Sequence, residues 1–100
     1  MAEHPLSIFQ KNDPKFFDHV LNTRSFALDD GALPRKVKLL IAMALDATEG
    51  AADGVKVLAD QAIKAGATKE EICEAIRVAQ YICGVGSVYT AAQGLKEIWK

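Results

Sequence analysis

The side chains in this sequence that could carry redox or nucleophilic chemistry are two thiols. Cys73 and Cys83 are ten residues apart in a helical pattern, which places them about 15 Å apart along one helix. That distance is beyond the reach of a disulfide bond, and neither cysteine has the pair spacing or the histidine neighbours of a zinc site. The sequence therefore predicts two free thiols in a reducing compartment.

Cys83 is the candidate catalytic residue because it comes directly before the helix break at Gly84-Val85-Gly86. A thiol at a helix end could reduce a peroxide or contact a substrate. His19, on the polar side of an N-terminal helix, could act as its base if a second subunit brings the two together. The alternative is that Cys83 and Cys73 are small buried side chains, as free cysteines often are, and the helical pattern places Cys83 on the core face.

Three carboxylates recur at helical spacing in the middle of the chain. Asp46, Glu49 and Asp53 would align on one face of a continuous helix and could then hold a metal ion. Gly50 is expected to interrupt that helix. We therefore interpret the three as a solvated turn, predict no metal site and no cofactor, and keep Glu49 as a candidate contact to a substrate.

Two tyrosines, Tyr81 and Tyr89, flank the same Gly84-Val85-Gly86 break. Each phenol could donate a hydrogen bond to a bound small molecule, so both are candidate substrate-binding residues. Aromatic packing at a subunit contact explains them equally well.

The elements that must position these groups are helices throughout, since no segment shows β alternation of useful length. Asp13 and Pro14 mark the start of the first helix, as N-cap and first-turn residue. We expect it to end near Asn22-Thr23, because a longer helix would place Arg24 in its apolar stripe and an unpaired buried guanidinium is costly.

The segment from Arg35 to about Ala47 is apolar nearly all round beyond its first turn. A helix of this kind must be buried on all sides, which a chain of 100 residues achieves most readily by association. The sequence therefore predicts a homo-oligomer that assembles through the helix at Val37 to Ala47.

Two amphipathic helices follow, from Ala51 to Ala65 and from Lys69 to the Gly84 break, and Ser87 is expected to cap a last helix that runs to about Ile98. The predicted fold is all-α: one domain over residues 1–100, with a core at about 33–95 and an N-terminal extension at 1–12.

The turn between those two amphipathic helices carries the most specific motif, Lys64-Ala65-Gly66-Ala67-Thr68-Lys69-Glu70-Glu71-Ile72. Gly66 is a helix stop, and Thr68 with Glu71 forms a capping box. This string, together with the Leu33-Pro34-Arg35 helix entry, resembles the carboxymuconolactone decarboxylase and alkylhydroperoxidase D family. The resemblance extends from about Leu33 to Leu95 and implies a compact helical domain that forms trimers or hexamers.

The resemblance also implies a catalytic relay, which this sequence lacks. Peroxidase members of the family carry a CxxCxxxH motif on the helix before the turn and a glutamate on the preceding helix. Ala51, Gly54 and Leu58 occupy the two cysteine positions and the histidine position, and Leu39 occupies the glutamate position. The decarboxylase-like branch also has a histidine where Leu58 stands.

Three functions remain open. The first is a family member without the thiol relay that serves as a small-molecule-binding or structural oligomer. The second is a thiol-dependent peroxidase, the peroxiredoxin-type activity of the family, that uses Cys83 alone. The third is a decarboxylase or isomerase whose acid and base are residues such as His19, Glu49 or Tyr89.

Charge and hydropathy restrict the kinds of partner that we expect this chain to bind. The net charge is −1, so no strong positive field attracts nucleic acid or an anionic membrane. The N-terminus lacks the pattern of a secretion signal, and no apolar run is long enough to span a bilayer. We expect a cytoplasmic protein whose partners are copies of itself and a small-molecule ligand.

Overall fold

The computed structural model describes residues 4–99, and every regular element in that range is an α-helix. The all-α prediction is confirmed. In chain order the helices are α1 (Ser7–Asn12), α2 (Pro14–Leu28), α3 (Arg35–Thr48), α4 (Ala52–Lys64), α5 (Lys69–Cys83) and α6 (Gly86–Leu95).

The core lies between the last four helices. α3 packs against α4, α5 and α6, and α4 and α5 also pack against α6. α3 supplies Leu39, Met43 and Ala47, which repeat every four residues and so share one face of the helix. The largest side chains that are fully buried are Leu39, Met43, Val55 and Ile72.

Gly94 allows α4 and α6 to approach closely. A Cβ atom at this position would lie 2.6 Å from the carbonyl oxygen of Ala52 and 3.0 Å from the backbone nitrogen of Lys56. Because both neighbours are backbone atoms of α4, no side-chain rotation could make room. Gly94 therefore fixes the start of α4 against α6.

The turn between α4 and α5 has the predicted geometry. Gly66 has φ of 104°, and the Ala67 N–H donates to the Ala62 carbonyl at 2.9 Å, as in a Schellman motif. The Glu71 N–H donates to the Thr68 hydroxyl at 3.1 Å, and the Thr68 N–H donates to Glu71 Oε1 at 2.9 Å. The helix stop and the capping box are both confirmed.

α2 is longer than expected. Its start is as predicted, with the Asp13 carboxylate accepting from the Phe16 N–H at 3.2 Å, but the helix continues to Leu28. The expected end near Asn22-Thr23 is wrong. Arg24 is exposed to solvent, so the longer helix does not bury an unpaired guanidinium.

Together, α1 and α2 form an N-terminal arm, here defined as His4–Leu28. The sequence pattern did not predict α1. Its segment packs on α2 through two edge-to-face ring pairs, His4 with Phe17 and Phe9 with Phe16, each with ring centroids 5.6 Å apart. Leu28, the last residue of α2, packs against the core.

The outward face of α3 is open in the single chain. Ile41 and Leu45 are exposed, so one chain does not bury this helix on all sides. Within residues 4–99 no helix is both long enough and apolar enough to cross a membrane.

The last helix also differs from expectation at both ends. Ser87 does not cap its N-terminus; its hydroxyl donates to the Gly84 carbonyl at 2.7 Å. α6 ends at Leu95 rather than near Ile98, although Ile98 and Trp99 still pack against the core.

Candidate functional site

The positions at which family members carry their relay are filled here by hydrocarbon and glycine. Ala51 is the N-cap residue of α4, Gly54 lies in its first turn and Leu58 one turn further on. Leu58 packs against the core cluster that contains the fully buried Leu39. Hydrocarbon neither donates nor accepts a proton, so these four positions cannot support the relay.

A carboxylate occupies the space beside Gly54. A Cβ atom built on Gly54 would lie 2.8 Å from Cγ of Asp46 and closer still to its Oδ2. The half-buried Asp46 side chain therefore fills the volume that a side chain at position 54 would need. Among the described residues it forms no side-chain hydrogen bond or ion pair.

Sequence reasoning missed this pairing because it considered Asp46 only together with Glu49 and Asp53. A signal was present, since a glycine inside a helical pattern marks close approach of another group. Gly54 is such a glycine, in the first turn of an otherwise regular helix.

The break at Gly50 is confirmed. α3 ends at Thr48, Gly50 has φ of 78° and the Ala51 N–H donates to the Asp46 carbonyl at 2.9 Å. Glu49 and Asp53 are exposed on either side of this turn. In the range 4–99, no three residues among His, Cys, Asp and Glu gather as a metal site would require.

An open depression of about 380 Å³ lies between the outer faces of α3 and α5 and is here called the α3/α5 groove. Its polar side chains are Thr48, whose hydroxyl donates to the Leu45 carbonyl at 2.6 Å, and Cys83. All other lining side chains are aliphatic: Val37, Leu40, Ile41, Ala44, Leu45, Ala75, Val78, Ala79 and Ile82.

Cys83 is exposed, so the expectation that it is buried on the core face is wrong. The last buried residue of α5 is Ala79, one turn earlier, and the final residues of the helix, Tyr81, Ile82 and Cys83, are all exposed, so its last turn is not covered within the described chain. Cys73 is also exposed and lines a different groove, of about 390 Å³, together with residues of α5 and α6. The two thiols are free, as predicted, but they do not share a site.

The other candidate residues are dispersed over the surface. His19 on α2, Tyr81 on α5 and Tyr89 on α6 are all exposed, as is Glu49. None of the four lines the α3/α5 groove within one chain. Their roles in catalysis or in substrate binding stay predictions.

Among the described residues, Glu71 has a carboxyl pKa that its neighbours lower. The backbone N–H of Thr68 and, next, the ammonium of Lys36 at 3.0 Å hold the pKa of this carboxyl below its ordinary value of 4.5. Both interactions stabilise the starts of α3 and α5. Glu71 is therefore a structural group rather than part of a reaction centre.

Comparison with known proteins identifies the family to which this chain belongs. A model of the carboxymuconolactone decarboxylase family matches residues 14–97. The crystal structure of apo-lpg0406, a protein of that family from Legionella pneumophila, aligns with a TM-score of 0.85 and 33% identity, covering 91% of this chain and 81% of that one. The uncharacterized protein MJ1511 of Methanocaldococcus jannaschii is 27% identical over 93% of this chain and 87% of its own length. On this sequence match, and with the same helical architecture, the chain belongs to the carboxymuconolactone decarboxylase family.

Proposed function

We propose that this protein is a homo-oligomeric member of its family that works without the thiol relay, as a binding or structural unit. The observation that carries the proposal is the chemistry of the relay positions. Leu39 and Leu58 belong to the hydrophobic packing, and the Asp46 carboxylate takes the space beside Gly54. A dithiol relay needs two thiols close together, and this chain has no thiol at either of the two positions.

The α3/α5 groove supports the homo-oligomer. Its volume would suit a small ligand, but ligand pockets usually add a few converging polar groups that orient the ligand. Here the Thr48 hydroxyl is committed to the Leu45 carbonyl, and the remaining lining is aliphatic apart from Cys83. An apolar surface of this kind suits another protein surface better than a polar metabolite.

A second candidate function is a thiol-dependent peroxidase that uses Cys83. The exposure of this thiol in the groove favours it, because a nucleophile must be accessible to its substrate. Against it, neither thiol hydrogen-bonds to another described side chain that could activate it. Without a base or a cation the thiol is a weak nucleophile.

Peroxide consumption with dithiothreitol as reductant separates these two functions. We expect the wild type to consume peroxide no faster than Cys83→Ser, with Cys73→Ser as the matched control for a thiol in the other groove. Activity that is lost in Cys83→Ser and kept in Cys73→Ser would establish the peroxidase instead. Light scattering at micromolar concentration tests the assembly, which a monomer would contradict.

A further inference from the structure

The groove that Cys73 lines differs in composition from the α3/α5 groove. It is about 390 Å³ in volume, lies between α5 and α6 and is here called the α5/α6 groove. The two grooves share no lining residue. No lining residue of the α3/α5 groove is charged, whereas the α5/α6 groove has an apolar wall on one side and a polar, partly charged wall on the other.

The apolar wall belongs to α6. Its four residues are spaced by three, one and three positions, so they lie along one face of that helix: Val88, Ala91, Ala92 and Leu95. Ala91 and Leu95 are buried and belong, with Ile76 of α5, to the core cluster. These side chains give the groove a hydrophobic floor, and hydrocarbon placed on it would leave water, which is favourable.

The polar wall belongs to α5. Cys73, Arg77 and Gln80 follow one another at intervals of four and three residues and are all exposed, so they share one face of the helix. Within residues 4–99 the side chains of Arg77 and Gln80 make no hydrogen bond or ion pair. Glu74, three residues before Arg77, does not line the groove. The donors of a guanidinium and an amide are therefore available at the edge of the hydrophobic floor.

Together the two walls favour an anion with a hydrocarbon part. A guanidinium binds a carboxylate through two parallel hydrogen bonds, and the Gln80 amide, one turn from Arg77, can donate a third. A fully polar anion would gain nothing from the floor, and a neutral hydrocarbon would gain nothing from Arg77. The volume of the groove lies within the range of small-molecule sites.

We propose that the α5/α6 groove binds a small aliphatic carboxylate, with its chain on the α6 wall and its carboxylate on Arg77. This inference rests on the binding role in the proposed function and names the site and the class of ligand. The α5 wall is about 10 Å long from Cys73 to Gln80, so a chain of medium length can lie along it. Octanoate is therefore a suitable probe.

Alkylation of the two thiols with N-ethylmaleimide locates the bound probe. Cys73 lines the α5/α6 groove and Cys83 lies outside it, so the chain carries its own matched control. With octanoate at about ten times its Kd, we expect alkylation of Cys73 to slow by up to about tenfold and that of Cys83 to stay unchanged. Peptide mass spectrometry measures both rates.

Three results of this experiment would overturn the proposal. Octanoate that slows neither thiol does not bind in the groove, and octanoate that slows both thiols equally does not bind there specifically. A Cys73 that fails to react even without octanoate would show that another protein surface covers the groove.

Arg77 tests the recognition of charge. Octanol has the same chain without the carboxylate, so the wild type should bind it about fivefold more weakly than octanoate, the effect of an exposed ion pair. Arg77→Gln should lose this preference, whereas Arg24→Gln, a matched change of an exposed arginine on α2, should keep it. Calorimetry measures the affinities, and circular dichroism checks that each variant keeps its helices. Equal affinities of the wild type for the acid and the alcohol would contradict the proposal.

Failure of this site and failure of the proposed function give different results. If octanoate does not bind while light scattering shows an oligomer that consumes no peroxide, the site is wrong and the structural role of the oligomer stands. A monomer in which octanoate protects Cys73 would contradict the oligomer and keep the site.

Discussion

At the scale of single residues, Asp46 and Gly54 behave as one unit. Alanine is a better helix former than glycine by about 1 kcal/mol, so Gly54→Ala alone would ordinarily stabilise α4. Here the new Cβ atom displaces the Asp46 side chain from its position, at a cost of about 0.5–1.5 kcal/mol for an unfavourable rotamer. The two effects should nearly cancel.

We therefore predict that Gly54→Ala stabilises the protein only when Asp46 is also replaced. Urea unfolding of the wild type, Gly54→Ala, Asp46→Ala and the double variant should give a coupling free energy of about 1 kcal/mol. Additive changes in the free energy of unfolding would show that the two side-chain positions do not compete.

Glu71 predicts a pH dependence of stability. Its pKa in the folded state lies below the ordinary 4.5, so its interactions with Thr68 and Lys36 contribute fully above that value. The contribution is lost as the pH falls from about the unfolded pKa through the folded one. Glu71→Gln should be less stable than the wild type at pH 7, and the difference should shrink in acid.

Thermal unfolding between pH 7 and pH 3 measures this effect. Glu70→Gln is the matched control, because Glu70 is an exposed neighbour in the same first turn. A Glu71→Gln deficit that stays constant down to pH 3 would mean that the charge of Glu71 does not stabilise the fold.

At the scale of helices, the close approach of α4 and α6 at Gly94 should be the most sensitive packing contact. We predict that Gly94→Ala destabilises the protein by about 1–3 kcal/mol, because the added methyl group meets backbone atoms that cannot rotate away. Gly86→Ala is the control, since a Cβ atom there has no neighbour within 4 Å. Equal unfolding free energies for the two variants would contradict this prediction.

The caps at Asp13 and Thr68 and the stop at Gly66 were predicted correctly from the sequence, whereas the expected cap at Ser87 and the expected end of the last helix near Ile98 were wrong. Asp13, Gly66 and Thr68 each act within a few residues of their own position. The end of α2 and the burial of Cys83 were wrong for the opposite reason. Both depend on whether another element covers that side of the helix, and no local pattern contains this information.

At the scale of the whole molecule, the sequence located the candidate site only through the absence of the family's catalytic residues. The resemblance located Ala51, Gly54 and Leu58, and the structure shows that Leu58 packs with the core. The Asp46 carboxylate beside Gly54 and the α3/α5 groove could be located only in the three-dimensional structure, because each brings together residues from two helices.

Association should also make the stability of the molecule depend on its concentration. If copies bind only when folded, a tenfold rise in protein concentration adds up to about 1.4 kcal/mol per binding event. We predict that the Tm of the wild type rises by a few degrees between dilute and tenfold more concentrated samples. Calorimetry at the two concentrations measures this shift.

The contact between Asp46 and Gly54 also favours one order in which a dithiol site could be rebuilt. A cysteine introduced at position 54 would displace the carboxylate, whereas after Asp46→Ala the Cβ atom that remains at position 46 would lie 3.4 Å from the new Cβ, an ordinary van der Waals contact. The cysteine is therefore accommodated with less strain once Asp46 has been replaced, and that replacement by itself gives no thiol chemistry. For a designer, or for a lineage under selection for peroxide reduction, the less strained order therefore begins with a change that brings no activity.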